Sequence, residues 1–259
     1  MSFIHTILLG IIEGLTEFLP ISSTAHIDIV RSLLSIPADD FIKSFEIIIQ
    51  LGAICAVIVL YGKKILSSYK YIRNICIAFI PTGVIGFLLY KLIKTFLLGK
   101  PFIAGITLLL GGIIIVWYER KQAKSMVVVN EIAIEDLPVK TLLSLGVIQA
   151  LAVIPGISRS GAVIIGGRML GLPKLTITEF SFALAIPTML LATAYDIFKS
   201  GVFLTTEQWN TIGLGFIVAF VVAFAVIKWF LSYIRRHSFE IFGWYRIVLG
   251  LIIVSFFLL

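Results

Sequence analysis

Charged residues are scarce in this chain, and the scarcity excludes an ordinary soluble domain. Asp, Glu, Lys and Arg make up 14% of 259 residues, whereas soluble globular proteins carry about 25%. Apolar residues account for 59%, and the mean hydropathy is +1.09. This composition predicts an all-α polytopic membrane protein that forms a single membrane domain over residues 1–259.

Cysteine is also rare, and a cleavable leader is not evident. Cys55 and Cys76 are the only two cysteines, and both lie in or beside apolar stretches. We therefore expect packing roles for them and no disulfide framework. The N-terminus lacks a basic region before its apolar stretch, which Glu13 and Glu17 interrupt. We expect residues 1–30 to be mature structure.

Six stretches have the length of about 18 to 22 residues that crosses a hydrocarbon core as a helix. These predicted spans are 43–61, 74–93, 102–119, 180–198, 211–231 and 241–259. Two further apolar regions, 1–30 and 141–171, are broken halfway by Pro, Gly and hydroxyl residues. Broken helices at membrane depth must face protein or a wet cavity. We therefore predict two re-entrant helix–turn–helix hairpins, over 1–40 and 141–179.

The distribution of basic residues predicts an orientation. The positive-inside rule places three basic loops in the cytoplasm, namely 62–73, 120–140 and 232–240. The loops 31–42 and 199–210 carry one basic residue each and are predicted to lie outside, whereas the loop 94–101 fits this scheme less well. The first hairpin then opens outward. Anchoring to anionic lipid accounts for the net charge of +7, so no nucleic-acid partner is expected.

An internal repeat supports this scheme. Residues 10–22 can be laid over residues 146–158 with one residue inserted after the proline of the second segment. Three predicted spans follow each segment. Because three is an odd number, the two halves must be inverted relative to each other. We predict a first repeat over about 1–119, a cytoplasmic linker over 120–140 and a second repeat over about 141–259. Inverted repeats with paired broken helices place their site at the repeat interface.

Two carboxylates in the first broken region indicate a metal site. An ionised side chain at the bilayer centre costs about 2.5 to 3.5 kcal/mol on insertion scales. Glu13 and Glu17 are four residues apart, so they share one helix face, where their charges repel unless a cation lies between them. We predict that both bind a divalent cation, with Mg²⁺ favoured and Ca²⁺ the alternative. The competing interpretation is that one of them faces a wet vestibule without a role.

A proline and three hydroxyl residues follow these carboxylates. Pro20 ends the helix, and Ser22, Ser23 and Thr24 offer hydroxyls and backbone N–H groups at the start of the next one. A helix N-terminus favours an anion, although simple N-capping is the alternative for these residues. His26 follows within one turn. It is a candidate site residue, but a lone histidine is often a satisfied core residue.

The second motif, residues 155–161, repeats this pattern with a fixed cation. Its candidate substrate-binding residues are Gly156, Ser158, Arg159 and Ser160. The planar guanidinium of Arg159 matches phosphate oxygens and stays charged when buried. The alternative is a structural ion pair between Arg159 and Glu13 or Glu17. Even that pair requires the two hairpins to meet.

The two motifs, Glu13 to His26 and Pro155 to Gly161, resemble the signatures of the undecaprenyl-diphosphate phosphatase family of the bacitracin-resistance type. The resemblance covers the whole chain and includes residues 49–53 and 245–250. Ala25 stands where the family usually has Gly, a change that removes no functional group. The other membrane phosphatase type carries an Arg-Pro dipeptide, which this sequence lacks.

The resemblance implies an enzyme that hydrolyses a C55 polyprenyl diphosphate to its monophosphate. This activity recycles the lipid carrier of peptidoglycan synthesis and confers resistance to bacitracin, which competes for the lipid substrate. The resemblance also implies an inverted-repeat fold, a divalent metal, and a site on the outer side of the bacterial plasma membrane. By position, the family's catalytic residues fall on Glu13, Glu17, Ser23, His26 and Arg159.

Several alternatives stay open at this level. Ser23 is a candidate nucleophile with Glu17 or His26 as its base, and a directly activated water is the rival. Inverted repeats also occur in transporters, so a carrier or flippase for an anionic lipid is the competing class. Small-residue faces such as Gly105 to Gly112 allow close helix packing, either within one protomer or in a homodimer.

Overall fold

The computed structural model describes residues 1–37, 39–96, 101–123, 132–200 and 204–258. Within these ranges the fold is entirely helical, with ten α-helices, two short 3₁₀ turns and no strand. The α-helices are α1 (Phe3–Thr16), α2 (Ser23–Leu33), α3 (Asp40–Leu66), α4 (Tyr69–Phe96), α5 (Pro101–Ala123), α6 (Val139–Ala150), α7 (Arg159–Met169), α8 (Lys174–Ser200), α9 (Thr206–Arg236) and α10 (Glu240–Leu258). The 3₁₀ turns are Ile134–Asp136 and Leu151–Val153.

Five helical segments are long and apolar enough to cross a membrane. They are Asp40–Leu66, Tyr69–Leu89, Pro101–Ala123, Lys174–Tyr195 and Thr206–Arg236. These segments contain or overlap the first five predicted spans and indicate a multi-pass membrane protein. The sixth predicted span coincides with α10, which has 19 residues. Its last predicted residue lies outside the described residues, as do parts of the predicted loops 94–101, 120–140 and 199–210.

Local sequence explains where several helices begin. Asp39 caps α3, because its carboxylate accepts a hydrogen bond from the Ile42 N–H at 2.8 Å. Thr205 and Gln208 form a reciprocal capping box at the start of α9. Large apolar side chains project from the perimeter, such as Phe87 and Leu88, which are 72% and 71% exposed. Lipid is the solvent that suits such a surface.

The two predicted helix breaks are present. Between α1 and α2 the chain turns at residues 17–22, and between α6 and α7 it turns at residues 151–158. Each turn ends in a serine with positive φ, Ser22 at 71° and Ser158 at 69°. A non-glycine residue rarely adopts this conformation, and such strain concentrates at functional sites. Each serine immediately precedes an 11-residue helix.

The two halves share one order of elements. Helices α1–α5 comprise two short helices followed by three long ones, and helices α6–α10 repeat that order. Helix α9 packs against α1 and α3, while α4 packs against α6 and α8. Helices α5 and α10 pack against each other, and so do α3 and α8. These pairings bring the two turns together at the centre of the molecule.

Small residues on α5 serve packing within the chain. A Cβ at Gly112 would lie 2.6 Å from the Gly243 carbonyl oxygen, and one at Gly105 would lie 2.9 Å from the Ile253 side chain. Both neighbours belong to α10. The intramolecular alternative therefore accounts for this face, and the homodimer stays a prediction.

Candidate active site

An ion pair joins the two helix breaks. The Nη2 atom of Arg159 lies 2.8 Å from Oε1 of Glu17, and the two side chains are only 9% and 4% exposed. Glu17 directly follows α1, and Arg159 is the first residue of α7. The sequence left Glu13 and Glu17 as alternative partners, and the structure selects Glu17. The two broken regions meet, as the sequence analysis required.

The other oxygen of Glu17 binds a serine hydroxyl. Ser23 Oγ donates a hydrogen bond to Glu17 Oε2 at 2.5 Å. This length is typical of a hydroxyl that donates to an ionised carboxylate. Glu17 therefore lies between the Arg159 guanidinium and the Ser23 hydroxyl. This is the arrangement of a nucleophile with an adjacent base.

Arg159 is held on three sides, and one of its three nitrogen atoms makes no hydrogen bond within the described residues. Its Nη1 donates to the Ser181 carbonyl at 2.8 Å, and its guanidinium carbon lies 5.7 Å from the centre of the Phe18 ring. The Nε atom is buried and has no hydrogen-bond partner within the described residues. A buried donor without a partner is costly, so an anionic ligand would satisfy it.

Glu13 is the second unsatisfied group. Its side chain is fully buried one turn before Glu17, its carboxyl group contacts the Glu17 carboxyl, and neither of its oxygens meets an N–H or hydroxyl donor in the described part of the chain. A buried ionised carboxylate needs a cation or a hydrogen-bond donor. Among the described residues there is no group of three or more His, Cys, Asp or Glu that could hold a metal. The pair Glu13 and Glu17 nevertheless suits Mg²⁺, which uses one or two carboxylates together with phosphate and water.

The second turn is tied to the first by its serines. Ser158 caps α7 by accepting from the Gly161 N–H at 3.1 Å. Ser160 donates to the Leu19 carbonyl at 2.8 Å and is fully buried. Its hydroxyl therefore links the start of α7 to the first turn. It does not line the cavity that adjoins Ser23. Ser22 makes no side-chain capping bond.

His26 points toward α10. Its Nδ1 lies 2.7 Å from the Ser22 carbonyl oxygen and its Nε2 lies 2.7 Å from the Tyr245 hydroxyl. Because a carbonyl only accepts, Nδ1 carries the proton, and Nε2 of the neutral ring accepts from Tyr245. The two rings are stacked with centroids 5.5 Å apart. Within the part of the chain that the structure describes, no hydrogen bond joins His26 to Glu17 or Ser23.

Arg246 is a buried cation that the site prediction missed. It is 1% exposed and donates only to main-chain carbonyls. Nη1 reaches Pro20 at 3.1 Å and Ile157 at 3.0 Å, and Nη2 reaches Gly156 at 3.0 Å. Two longer bonds reach Thr107 and Leu108 of α5. The signal was present in the sequence, because an arginine inside an apolar span indicates a functional or organising role.

A cavity of about 220 Å³ lies against this centre. The predicted residues that line it are Glu17, Ser22, Ser23, Thr24, Gly156, Ser158 and Arg159. Glu13, His26 and Ser160 do not line it. Four polar residues that were not predicted as site residues also line it, namely Gln50, Thr82, Gln149 and Thr188. The repeat alignment pointed to one of them, because it matches Gln149 with Glu13.

The amide of Gln149 is fixed by two threonine hydroxyls on the cavity lining. Its Nε2 donates to the hydroxyls of Thr82 and Thr188, each at 3.0 Å. Those hydroxyls donate in turn to the carbonyls of Gly146 and Leu184. The cavity lining therefore combines the charged groups of Glu17 and Arg159 with a neutral hydrogen-bonded network around Gln149. Such a cavity, with an arginine and a carboxylate-bound serine, suits an anionic phosphate ester.

Comparison with known proteins identifies the family. The model of the family described as bacitracin resistance protein BacA matches residues 6–252. Undecaprenyl-diphosphatase from Aquifex aeolicus is 49% identical over 254 residues, which cover 98% of both chains. The proteins of that name from Persephonella marina and Wolinella succinogenes are 47% and 46% identical over 256 residues, covering at least 98% of each chain. Because these matches extend over nearly the whole chain, the protein belongs to the bacitracin resistance protein BacA family.

Proposed function

We propose that this protein hydrolyses undecaprenyl diphosphate to undecaprenyl phosphate and inorganic phosphate. The reaction recycles the lipid carrier of cell-wall synthesis and confers resistance to bacitracin, which competes for the diphosphate. Family membership supports the substrate. The observation that supports hydrolysis at this site is the chain of contacts from Arg159 through Glu17 to Ser23, all of which line one cavity.

The proposed mechanism starts with binding of the diphosphate in the cavity. Arg159 lines the cavity and offers its guanidinium to a phosphate oxygen, and the N-terminus of α2, whose first residues Ser23 and Thr24 also line the cavity, favours the same anion. Ser22, Thr24 and Ser158 supply further polar contacts on the cavity wall. These donors are fixed before substrate arrives, so they stabilise the negative charge that develops in phosphoryl transfer.

Ser23 then acts as the nucleophile. Glu17 accepts the hydroxyl proton while Oγ forms a bond to the terminal phosphorus, and the bond from that phosphorus to the bridging oxygen breaks. Undecaprenyl phosphate leaves with that oxygen. A water molecule next attacks the phosphoserine, Ser23 regains a proton, and inorganic phosphate is released. The 2.5 Å contact favours Glu17 as the base, since His26 is hydrogen-bonded to Ser22 and Tyr245 instead.

A divalent cation completes this proposal, with Mg²⁺ favoured and Ca²⁺ the alternative. Glu13 and Glu17 would hold it, and the contact between their carboxyl groups, with no N–H or hydroxyl donor at Glu13, supports that assignment. When bound, the cation would offset the charge of the diphosphate. In this proposal Glu13 holds the cation and does not contact Ser23 directly.

We propose that the fold is an inverted repeat of α1–α5 and α6–α10, with α1–α2 and α6–α7 as re-entrant hairpins. The shared order of helices and the nearly equal φ angles of Ser22 and Ser158 support this proposal. The basic loops support a cytoplasmic linker over 120–140 and a site that opens to the outer side of the bacterial plasma membrane.

Phosphate release tests the function. Purified full-length protein in detergent should release phosphate from undecaprenyl diphosphate in the presence of Mg²⁺. Release should stop with a chelator, and Glu17→Gln should abolish it. Glu207→Gln, a change to an exposed residue at the start of α9, is the matched control. Folded protein that releases no phosphate under any of these conditions would overturn the proposal.

A further inference from the structure

A groove on the protein surface, which shares no lining residue with the cavity, combines cations with tryptophans. The α5–α10 groove has a volume of about 660 Å³ and is lined by Ile113, Val116, Trp117, Arg120, Lys121, Trp244 and Ile247. It lies at the end of α5 and the start of α10. None of its residues lines the cavity around Ser23.

Two cation–aromatic pairs form the mouth of the groove. The guanidinium carbon of Arg120 lies 5.3 Å from the centre of the Trp244 ring, and Nζ of Lys121 lies 5.3 Å from that of Trp117. The tryptophans are 45% and 56% exposed. Tryptophan prefers the interface between hydrocarbon and headgroups. The mouth of the groove is therefore expected at headgroup depth.

One carboxylate orders this mouth without cancelling its charge. Glu240 accepts from Arg120 Nε at 2.8 Å and from Trp244 Nε1 at 3.2 Å. These bonds hold the arginine and the tryptophan in place. Arg120 and Lys121 together carry two positive charges against the one negative charge of Glu240, so the mouth keeps a net positive charge.

The floor of the groove is apolar. Ile113 is 48% exposed, and Val116 and Ile247 continue the same wall toward the interior of the span. A cationic mouth above an apolar floor matches a phosphate headgroup that continues into an acyl chain. Basic pockets between transmembrane helices bind anionic lipid headgroups in this way.

We propose that the α5–α10 groove is a binding site for an anionic phospholipid of the surrounding bilayer. The headgroup phosphate lies between Arg120 and Lys121, and an acyl chain lies along Ile113, Val116 and Ile247. The charge of the mouth excludes a preference for a zwitterionic lipid. The proposal does not depend on the phosphatase activity, because the groove and the cavity share no residue.

Native mass spectrometry of the full-length protein tests this site. Protein in detergent is equilibrated with equal amounts of phosphatidylglycerol and phosphatidylcholine of matched acyl chains. One phosphatidylglycerol should be retained in preference to phosphatidylcholine. Lys121→Gln and Arg120→Gln should each lower that preference by about fivefold, the effect of losing one cation beside an anionic headgroup. Lys63→Gln, at an exposed position on α3, is the matched control and should leave the preference unchanged.

Three results would overturn the proposal. The first is equal retention of the two lipids, and the second is a loss of preference in Lys63→Gln as large as that in Lys121→Gln. The third is a lipid-free dimer that Lys121→Gln dissociates, because a second copy of the chain would then occupy the groove. If the Arg120 variant does not fold, tryptophan fluorescence of the other variants provides a second measurement. Brominated phosphatidylglycerol should quench tryptophan fluorescence more than brominated phosphatidylcholine, and Trp244→Phe should reduce that difference while Trp209→Phe preserves it. Equal quenching by the two lipids contradicts the site.

Discussion

Arg159 and Glu17 form an ion pair at 2.8 Å although 142 residues separate them in the chain. The pair fixes the start of α7 against the end of α1, and Glu17 holds the Ser23 hydroxyl with its second oxygen. One contact therefore assembles the two turns and prepares a nucleophile.

Removing the charge of either partner should stop catalysis and weaken the fold. Breaking a buried ion pair from one side costs about 3–5 kcal/mol, because the remaining charge is left unpaired. We expect Glu17→Gln and Arg159→Gln to abolish phosphate release and to lower the melting temperature in detergent. The double variant Glu17→Gln/Arg159→Met should recover stability but not activity. Recovery of activity in the double variant would remove the pair from the mechanism.

Loss of the Ser23 hydroxyl should remove the covalent step. We expect Ser23→Ala to lower turnover by about a thousandfold or more, as for other nucleophiles that act together with a base. Rapidly quenched reactions with labelled terminal phosphate should show phosphorylated protein in the unmodified enzyme and none in this variant. Thr24→Ala removes a neighbouring hydroxyl in the same cavity and should weaken binding while still forming phosphoprotein. Near-normal turnover in Ser23→Ala would favour the activated-water route.

Glu13 should govern the requirement for a divalent cation. Within the described residues, its buried carboxyl group contacts the Glu17 carboxyl and meets no N–H or hydroxyl donor. We expect Glu13→Gln to raise the Mg²⁺ concentration for half-maximal activity by at least about tenfold, the effect of losing even an outer partner of a metal site. The same variant should lose the rise in melting temperature that Mg²⁺ produces, whereas Glu207→Gln should keep it. An unchanged Mg²⁺ titration would exclude Glu13 as a ligand.

Arg246 should act as a positioning residue for both turns. Its guanidinium donates to the carbonyls of Pro20, Gly156 and Ile157, and each buried acceptor left without a donor costs about 1–3 kcal/mol. We expect Arg246→Met to lower the free energy of unfolding by several kcal/mol and to reduce kcat more than it changes KM. Arg246→Lys should restore only part of kcat, since lysine lacks the planar fork. Arg236→Met, at the exposed end of α9, is the control. A change in KM without a change in kcat in Arg246→Met would contradict a positioning role.

Gly156 and Gly171 form a matched pair that separates backbone strain from steric contact. Their φ angles are 87° and 84°, so alanine costs about 1–2 kcal/mol at either position. A Cβ at Gly156 would also collide with Thr107 Oγ1, whereas one at Gly171 would meet nothing within 4 Å. We expect Gly156→Ala to destabilise the protein by about 1–3 kcal/mol more than Gly171→Ala and to abolish activity. Thermal unfolding and phosphate release measure both effects; equal destabilisation would contradict the close packing of the second turn.

Local patterns were sufficient for much of this protein. Low charge and long apolar stretches predicted a membrane protein with helical spans, and five long apolar helices confirm it. Pro20 and the Pro155-Gly156 pair predicted the two helix breaks, because proline and consecutive hydroxyl residues disrupt a helix through short-range interactions alone. The four-residue spacing of Glu13 and Glu17 likewise depends only on helical period.

Only the tertiary structure decided the pairings that make the site. The sequence left two carboxylates as partners of Arg159, and it did not predict that His26 would contact Tyr245, 219 residues away. It placed Arg246 and Gln149 in apolar helices but did not indicate what they bind. Contacts within a helix follow from residue spacing, whereas contacts between distant helices depend on how all the helices pack together. The chain's own sequence therefore determined the elements and the reactive groups, and packing determined which of those groups meet.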